Sequence, residues 1–373
     1  IDNASVKEVI TSNIPRIDYS NGCGSLLLEP QRTNLVISSN SSFSSVNMDL
    51  AYDNIISPDG TQNAYKSTTT TGSGSNVRTL NVAFTTTSSF SVFLKYGNNQ
   101  WYQIINSAAV NFYVNVDVQN GAFGTSGSQT ENLSIQDYGN GWYRVSGTFT
   151  NSAGTGTLRI YTGSSSSHPW AGASAPIGSF NYGFGFQIEE GTYPTSYIPT
   201  SGTTVTRLQD SSSTTGLSSV INSTEGVLYV EGKFPLVTST TSEINLSVGG
   251  SISNAVRIQF RNNGNIRYYL YANGVNMLIS NFTSYEDFLK IAVTYKSGEI
   301  KVFINGVQEG STNTLSFAFA GSLDTLKTLN FEGNVQNLMV FPSALTDEQL
   351  TDLTGTVQTS FNSLALSLGY TIL

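Results

Sequence analysis

The sequence predicts an all-β protein: two tandem antiparallel β-sandwich (jelly-roll) domains followed by a short C-terminal helical segment. Three observations predict it. Apolar and polar residues alternate over short runs, with no convincing stripe at the helical period. Asn-Gly pairs, suited to the positive φ of tight hairpin turns, separate several of these runs. The length of 373 residues is too great for one sandwich and comfortable for two.

Taken in order, residues 1–36 read as an extended entry segment. Ile14-Pro15-Arg16-Ile17-Asp18-Tyr19 is extended, Asn21-Gly22-Cys23-Gly24 is a turn, and the apolar run Leu26 to Leu28 stops at Pro30. The first domain, 37–207, has its clearest strands at 90–96, 112–118, 142–149 and 157–161, with Asn120-Gly121 and Asn140-Gly141 as turns. A Ser/Thr/Gly stretch around Ser201 to Ser213 marks the boundary. The second domain, 208–343, contains the strongest hairpin: Ile291, Val293 and Tyr295 alternate with Ala292 and Thr294, Lys296-Ser297-Gly298-Glu299 turns the chain, and Ile300, Val302 and Ile304 alternate back. Asn305-Gly306 turns the chain again, so 290–309 reads as a three-strand meander, and Val335 to Phe341 is the closing strand. Residues 344–373 are helical, because Thr346-Asp347-Glu348-Gln349 is a capping box ahead of Leu350 and Leu353. Phe361, Leu364 and Leu368 suggest a second helix facing a partner surface.

Composition narrows the function. Charged residues make up 11% of the chain, against roughly 25% in an ordinary globular protein, and Gly, Ser, Thr and Asn fill their place. Such a neutral, hydroxyl- and amide-rich surface suits sugars or packing within a particle. With a net charge of −8, nucleic acid is not an expected partner. The single cysteine, Cys23, allows no intrachain disulfide. No apolar run reaches the ~18 residues of a membrane span, so membrane insertion is not expected. Residues 1–5 lack the order of a signal peptide, and a first residue of Ile suggests a processed chain or a fragment.

Two blocks carry a family resemblance. One is Pro15-Arg16-Ile17-Asp18-Tyr19 with Gly24-Ser25-Leu26-Leu27-Leu28-Glu29-Pro30-Gln31-Arg32-Thr33-Asn34-Leu35; the other is Gln187-Ile188-Glu189-Glu190-Gly191 with Thr195-Ser196-Tyr197-Ile198-Pro199-Thr200. Together with Ser57-Pro58-Asp59-Gly60-Thr61 and Tyr138-Gly139-Asn140-Gly141-Trp142-Tyr143-Arg144, they resemble phage tail, fibre or spike proteins with a carbohydrate-binding jelly roll. The second domain resembles a laminin-G or concanavalin-like lectin sandwich through 290–295, 302–306 and Leu338-Met339-Val340-Phe341. The resemblance implies a protein at the virion surface that attaches to host-surface glycans or packs against other virion proteins, as a homo-oligomer with a trimer favoured. Where many relatives place Trp before Gly, this chain has Tyr182-Gly183-Phe184-Gly185-Phe186, which puts that Trp's sugar role in doubt.

The residues offer little for catalysis, and no enzyme is expected; a polysaccharide-degrading enzyme fragment is the alternative. The lone His168 lies in a Ser-rich loop with no nucleophile-elbow motif, and reads as a loop histidine. No strand carries the Glu-x-Asp-x-Glu spacing of a sandwich glycosidase, and Glu189 and Glu190 point to opposite faces. Sugar binding asks for an aromatic platform flanked by amides and hydroxyls. Trp101, Tyr102 and Trp170 have polar loop neighbours and are candidates, whereas Trp142 reads as a core residue. Tyr269 and Tyr271 share one strand face, with Tyr268 on the other, and serve either sheet packing or a sugar. No cofactor is expected; Asp49, Asp53 and Asp59 leave a structural calcium open without a loop signature to join them.

Overall fold

The computed structural model describes residues 15–19, 24–72, 74–79, 81–108, 111–150, 153–171, 175–234, 242–272, 275–283 and 288–355. The chain is almost wholly antiparallel β and divides into two units, one built on Gln31–Arg207, the other joining the segment that ends at Pro30 to the chain from Leu208 onward.

Unit 1 is a sandwich of two six-stranded sheets. The first runs Ala122–Ser126, Tyr113–Asp117, Trp101–Asn106, Leu158–Gly163, Asn76–Arg78, Ser44–Val46; the second runs Thr130–Asp137, Trp142–Thr150, Thr87–Tyr96, Phe180–Glu190, Gln62–Thr69, Met48–Ile56. Alternation along each strand sends every second side chain between the sheets, where Tyr102, Ile104, Val114 and Ile160 meet Phe90, Val92, Val145 and Ile188. The outward face of the second sheet is apolar as well. There Phe93, Trp142 and Phe184 lie beneath Tyr197, so Trp142 is buried, but on the far side of its sheet from the main core. Its indole Nε1 donates to the Ile56 carbonyl at 3.1 Å.

Unit 2 pairs a seven-stranded sheet with a six-stranded one. The six-stranded sheet runs Ser213–Thr214, Thr325–Leu329, Ser242–Ser247, Ala255–Phe260, Asn265–Ala272, Val275–Thr283. In the seven-stranded sheet, Phe288–Lys296, Val302–Ile304 and Val307–Gln308 form the meander expected from the sequence. Its turns rest on Gly298 at φ +82° and on Asn305 and Gly306 at φ +47° and +87°, conformations that favour Asn and Gly. The helix Asp347–Thr354 begins at the expected capping box, Thr346 Oγ1 accepting from Gln349 N. It packs Leu350 and Leu353 against Tyr229, Ala292 and Phe303 on the outward face of this sheet. The second helical pattern, at Phe361, Leu364 and Leu368, falls outside the described residues, as does the turn at 20–23.

The entry segment is not a separate piece. Arg16–Asp18 and Ser25–Leu28 extend the seven-stranded sheet, with Leu26 paired to Val335, and Leu28 enters the core of unit 2. The strand Gly333–Phe341 therefore lies inside the sheet, between Ser25–Leu28 and Glu225–Lys233. The cause is local: two apolar residues at period two fit the open edge of an unfinished sheet. Unit 1 is thus an insertion in the sequence of unit 2. Where the chain leaves and returns, Asp210 N donates to the Glu29 carbonyl and Glu29 N to Asp210 Oδ2, at 2.9 and 3.0 Å. Arg16 neutralises both of these buried carboxylates.

A chain begun at Leu208 lacks these two strands. It is expected to unfold at a lower denaturant midpoint than unit 2 of the full chain, since loss of the buried Leu28 side chain alone costs ~2–5 kcal/mol. Circular dichroism is the suitable probe, because all three Trp lie in unit 1. Equal midpoints would refute the integral role given to Ser25–Leu28.

Candidate functional site

The most specific sequence blocks turn out to hold unit 1 together. Glu189 is fully buried; its Oε2 accepts from Gln187 Nε2 and Thr195 N at 2.8 and 2.7 Å, and its Oε1 from Thr195 Oγ1 at 2.5 Å. Gln187 Oε1 accepts from Ile198 N at 2.6 Å, and Asn34 Nδ2 donates to the Ile198 carbonyl at 2.8 Å. These bonds tie the two halves of the second block to each other and to Asn34 of the first. A carboxylate enclosed in this way is a structural clasp.

The jelly-roll candidates separate. Tyr102 faces the intersheet core at 3% exposure, and burial pushes its phenol well above the ordinary range, so it is withdrawn from any ligand. Trp101, one residue earlier, is half-buried on the outward face with Gln103 and Ile105. That face is crossed by the Ser-rich loop: Gln103 Nε2 donates to the carbonyls of His168 and Pro169 at 3.1 and 2.8 Å, and Asn115 Nδ2 to that of His168 at 2.9 Å. His168 Nε2 in turn accepts from Ser164 N and Ser165 N at 2.9 and 3.2 Å, which ties the loop to itself. Trp170 then packs on Ile105 and Tyr161. Trp101 and Ile105 stand four residues, or ~13 Å, apart along the strand, so Trp101 and Trp170 do not form one platform. The amides that would recognise a sugar are engaged by the loop.

In unit 2 the alternation is clean. Ile244, Leu246, Val256, Ile258, Tyr268 and Leu270 enter the core, which leaves Glu243, Asn245, Arg257, Gln259, Tyr269 and Tyr271 on the outward face of the six-stranded sheet. Cross-strand register aligns Lys327, Asn245, Arg257 and Tyr269 in one row, and Glu243, Gln259 and Arg267 in the next. Glu243, Asn245, Arg257 and Gln259 are buried at the centre of this face, whereas Tyr269 and Tyr271 are half-buried. Glu243 orients Arg257 by accepting from its Nε at 3.1 Å and from its Nη2, and also accepts from Gln259 Nε2 at 2.7 Å. The guanidinium lies over the rings of Tyr271 and Tyr269, 4.9 and 5.7 Å from their centroids, and the two rings stand 5.5 Å apart. Arg267 Nη1 donates to Tyr269 Oη at 3.2 Å.

Sequence reading named the two tyrosines as candidates and did not name Arg257, Glu243, Gln259 or Asn245, which the structure brings beside them. The signal was present in Ser-Glu-Ile-Asn-Leu-Ser and Ala-Val-Arg-Ile-Gln-Phe, whose polar residues alternate onto the tyrosine face. Asn245 is fully buried, yet neither its Oδ1 nor its Nδ2 has a hydrogen-bond partner.

Among the described residues, no three His, Cys, Asp or Glu side chains are gathered for a metal. Asp59 is occupied by Ser57, Thr61 and Asn63, while Asp49 and Asp53 are exposed on the strand Met48–Ile56.

No protein-family model and no curated protein matches the chain. Solved structures similar to parts of it are carbohydrate-binding and lectin-like sandwiches. The Ruminococcus gnavus IT-sialidase CBM40 is 16% identical over 38% of this chain and 92% of its own, with a TM-score of 0.31. The carbohydrate-binding module CBM66 from Bacillus subtilis is 7% identical over 35% and 77%, with a TM-score of 0.25. The NanB sialidase of Streptococcus pneumoniae is 16% identical over 40% and 28%, with a TM-score of 0.30. At such values these likenesses fix neither a family nor a ligand.

Beside Trp101, Asp117 anchors the turn after its strand. Burial raises its pKa, but bonds from Asn120, Gln100 and Gln119 outweigh this and hold it below the usual range. A carboxylate with a lowered folded pKa contributes stability that is present above its unfolded value, about 3.9, and lost as pH falls through the folded one. Asp117→Asn is therefore expected to weaken unit 1 at pH 7 and to flatten its loss of stability below about pH 4. Tryptophan fluorescence during denaturant unfolding reads both; an unchanged acid slope would remove Asp117 from the account.

Proposed function

We propose that this chain is a non-catalytic glycan-binding module of a virion surface, and that the outward face of the six-stranded sheet in unit 2 holds the sugar. The observation that carries this reading is the Tyr269–Tyr271 pair with Arg257 fixed beside it by Glu243. Two adjacent half-buried rings offer apolar area to a pyranose, and an oriented guanidinium and amides supply donors to its hydroxyls. The neutral, hydroxyl-rich composition fits the same use. Placement on a virion, and attachment to a host-surface glycan, are supported by the two sequence blocks that resemble phage tail and fibre proteins. The non-catalytic reading is supported by the best acid and base candidates, since Glu189 is enclosed by its clasp and His168 by its own loop.

Presented with an array of bacterial polysaccharides, the full chain is expected to bind at least one. Tyr271→Ala should weaken that binding at least tenfold, which is about 1.4 kcal/mol. Trp170→Ala should leave it unchanged. The bound polysaccharide should gain no new reducing ends on prolonged incubation. A folded protein that binds nothing on the array, or a Tyr271→Ala variant that binds as well as the parent, would overturn the assignment.

A further inference from the structure

We infer that the sugar held on this face is acidic, its carboxylate or sulfate being received by Arg257. The inference rests on the glycan-binding reading and names the ligand's class.

Three observations carry it. The first is the free end of Arg257. Glu243 takes up Nε and Nη2, which leaves the two N–H groups of Nη1 with no partner among the described residues. A guanidinium held by an ion pair on one edge and by two rings on its face is already oriented, so engaging an anion costs little further side-chain entropy.

The second is local charge. Arg257, Arg261, Arg267 and Lys327 all stand on this face, Arg261 through its bond to Gln259 Oε1 at 3.3 Å. Glu243 lies within the face, and Asp324 stands at the neighbouring turn, where it binds Gly249 N. The chain as a whole is the reverse, at −8. A cationic concentration on an acidic protein is a local field suited to an anion.

The third is Asn245, opposite Arg257 in the register and fully buried with both polar atoms unpartnered. Each such atom costs ~1–3 kcal/mol. Flanked by Lys327 and Arg257, the amide is placed to bond the ligand once the Lys327 side chain shifts to receive it. Lys327 Nζ is at present tied to the Gly250 carbonyl, a contact it can exchange for the ligand's anion.

The test starts from the polysaccharides that the full chain binds on the array. Each is measured again after its carboxyl groups are reduced to alcohols, and separately after removal of sulfate. Binding is expected to fall at least tenfold in one of the two arms, and the arm identifies the anion. Binding should also weaken as salt is raised. Arg257→Lys keeps a charge opposite Glu243 but removes Nη1, and should weaken binding to the acidic polymer at least tenfold while weakening binding to its neutralised form by a smaller factor. Lys327→Gln leaves the Arg257–Glu243 pair intact and guards against a folding defect in the first variant; it should weaken acidic binding about threefold and reduce the salt dependence. If the neutralised polymers bind as tightly as the parents, the acidic assignment falls while the glycan reading stands. If nothing binds at all, both fall.

Discussion

Alternation along the strands is the constraint on which both units depend. Each strand sends one set of side chains into a core and the other set outward, so every sheet must find a use for its second face. Three such faces are covered by the chain itself. The second sheet of unit 1 lies under Tyr197, the first carries the loop that ends in Trp170, and the seven-stranded sheet carries the helix Asp347–Thr354. The fourth, around Arg257, differs in its residues, which are polar, cationic and aromatic. That difference, more than any single residue, locates the candidate site.

Two of the buried carboxylates, Glu189 and Glu243, show how a polar interior can serve opposite ends. Glu189 meets Gln187 and Thr195 with both oxygens, and the consequence is a closed network that fixes a segment. Glu243 also satisfies its own oxygens, on Arg257 and Gln259, yet the network around it stays open at Arg257 Nη1 and Asn245. Leaving a buried amide unmet opposes folding. In a protein otherwise economical with charge, its place beside a pre-oriented guanidinium singles this face out as the candidate site.

Much of this was legible in the sequence, and what was not has a physical reason. The meander at 290–309 and the helix cap at Thr346 were plain because turns and caps are local chemistry: positive φ at Asn305 and Gly306, and reciprocal bonds between Thr346 and Gln349. Register between distant strands is not local. The pairing of Leu26 with Val335 leaves no trace near either residue, so a segment that belongs to unit 2 read as a free entry. Alternation also states which residues share a face without stating which face is inward. Tyr102 and Trp101 were proposed together, although they point opposite ways; the parity of Tyr102 with the core residue Ile104 would have separated them. Tyr269 and Tyr271 stayed ambiguous until Arg257 and Glu243 came beside them across the sheet.

The low charge of the chain sharpens the argument for that face. With only 17 Lys and Arg in 373 residues, four of them on one sheet face is a strong local concentration. At physiological ionic strength charges are screened over ~8 Å, so acids farther away than this do little to cancel it. Glu243 neutralises one of the four directly, and by doing so fixes the direction of the guanidinium it pairs with. Net charge and local field then act at different ranges. The overall negative charge discourages phosphate backbones, while the sheet face keeps a short-range demand for an anion that an aromatic pair can restrict to one carried on a ring.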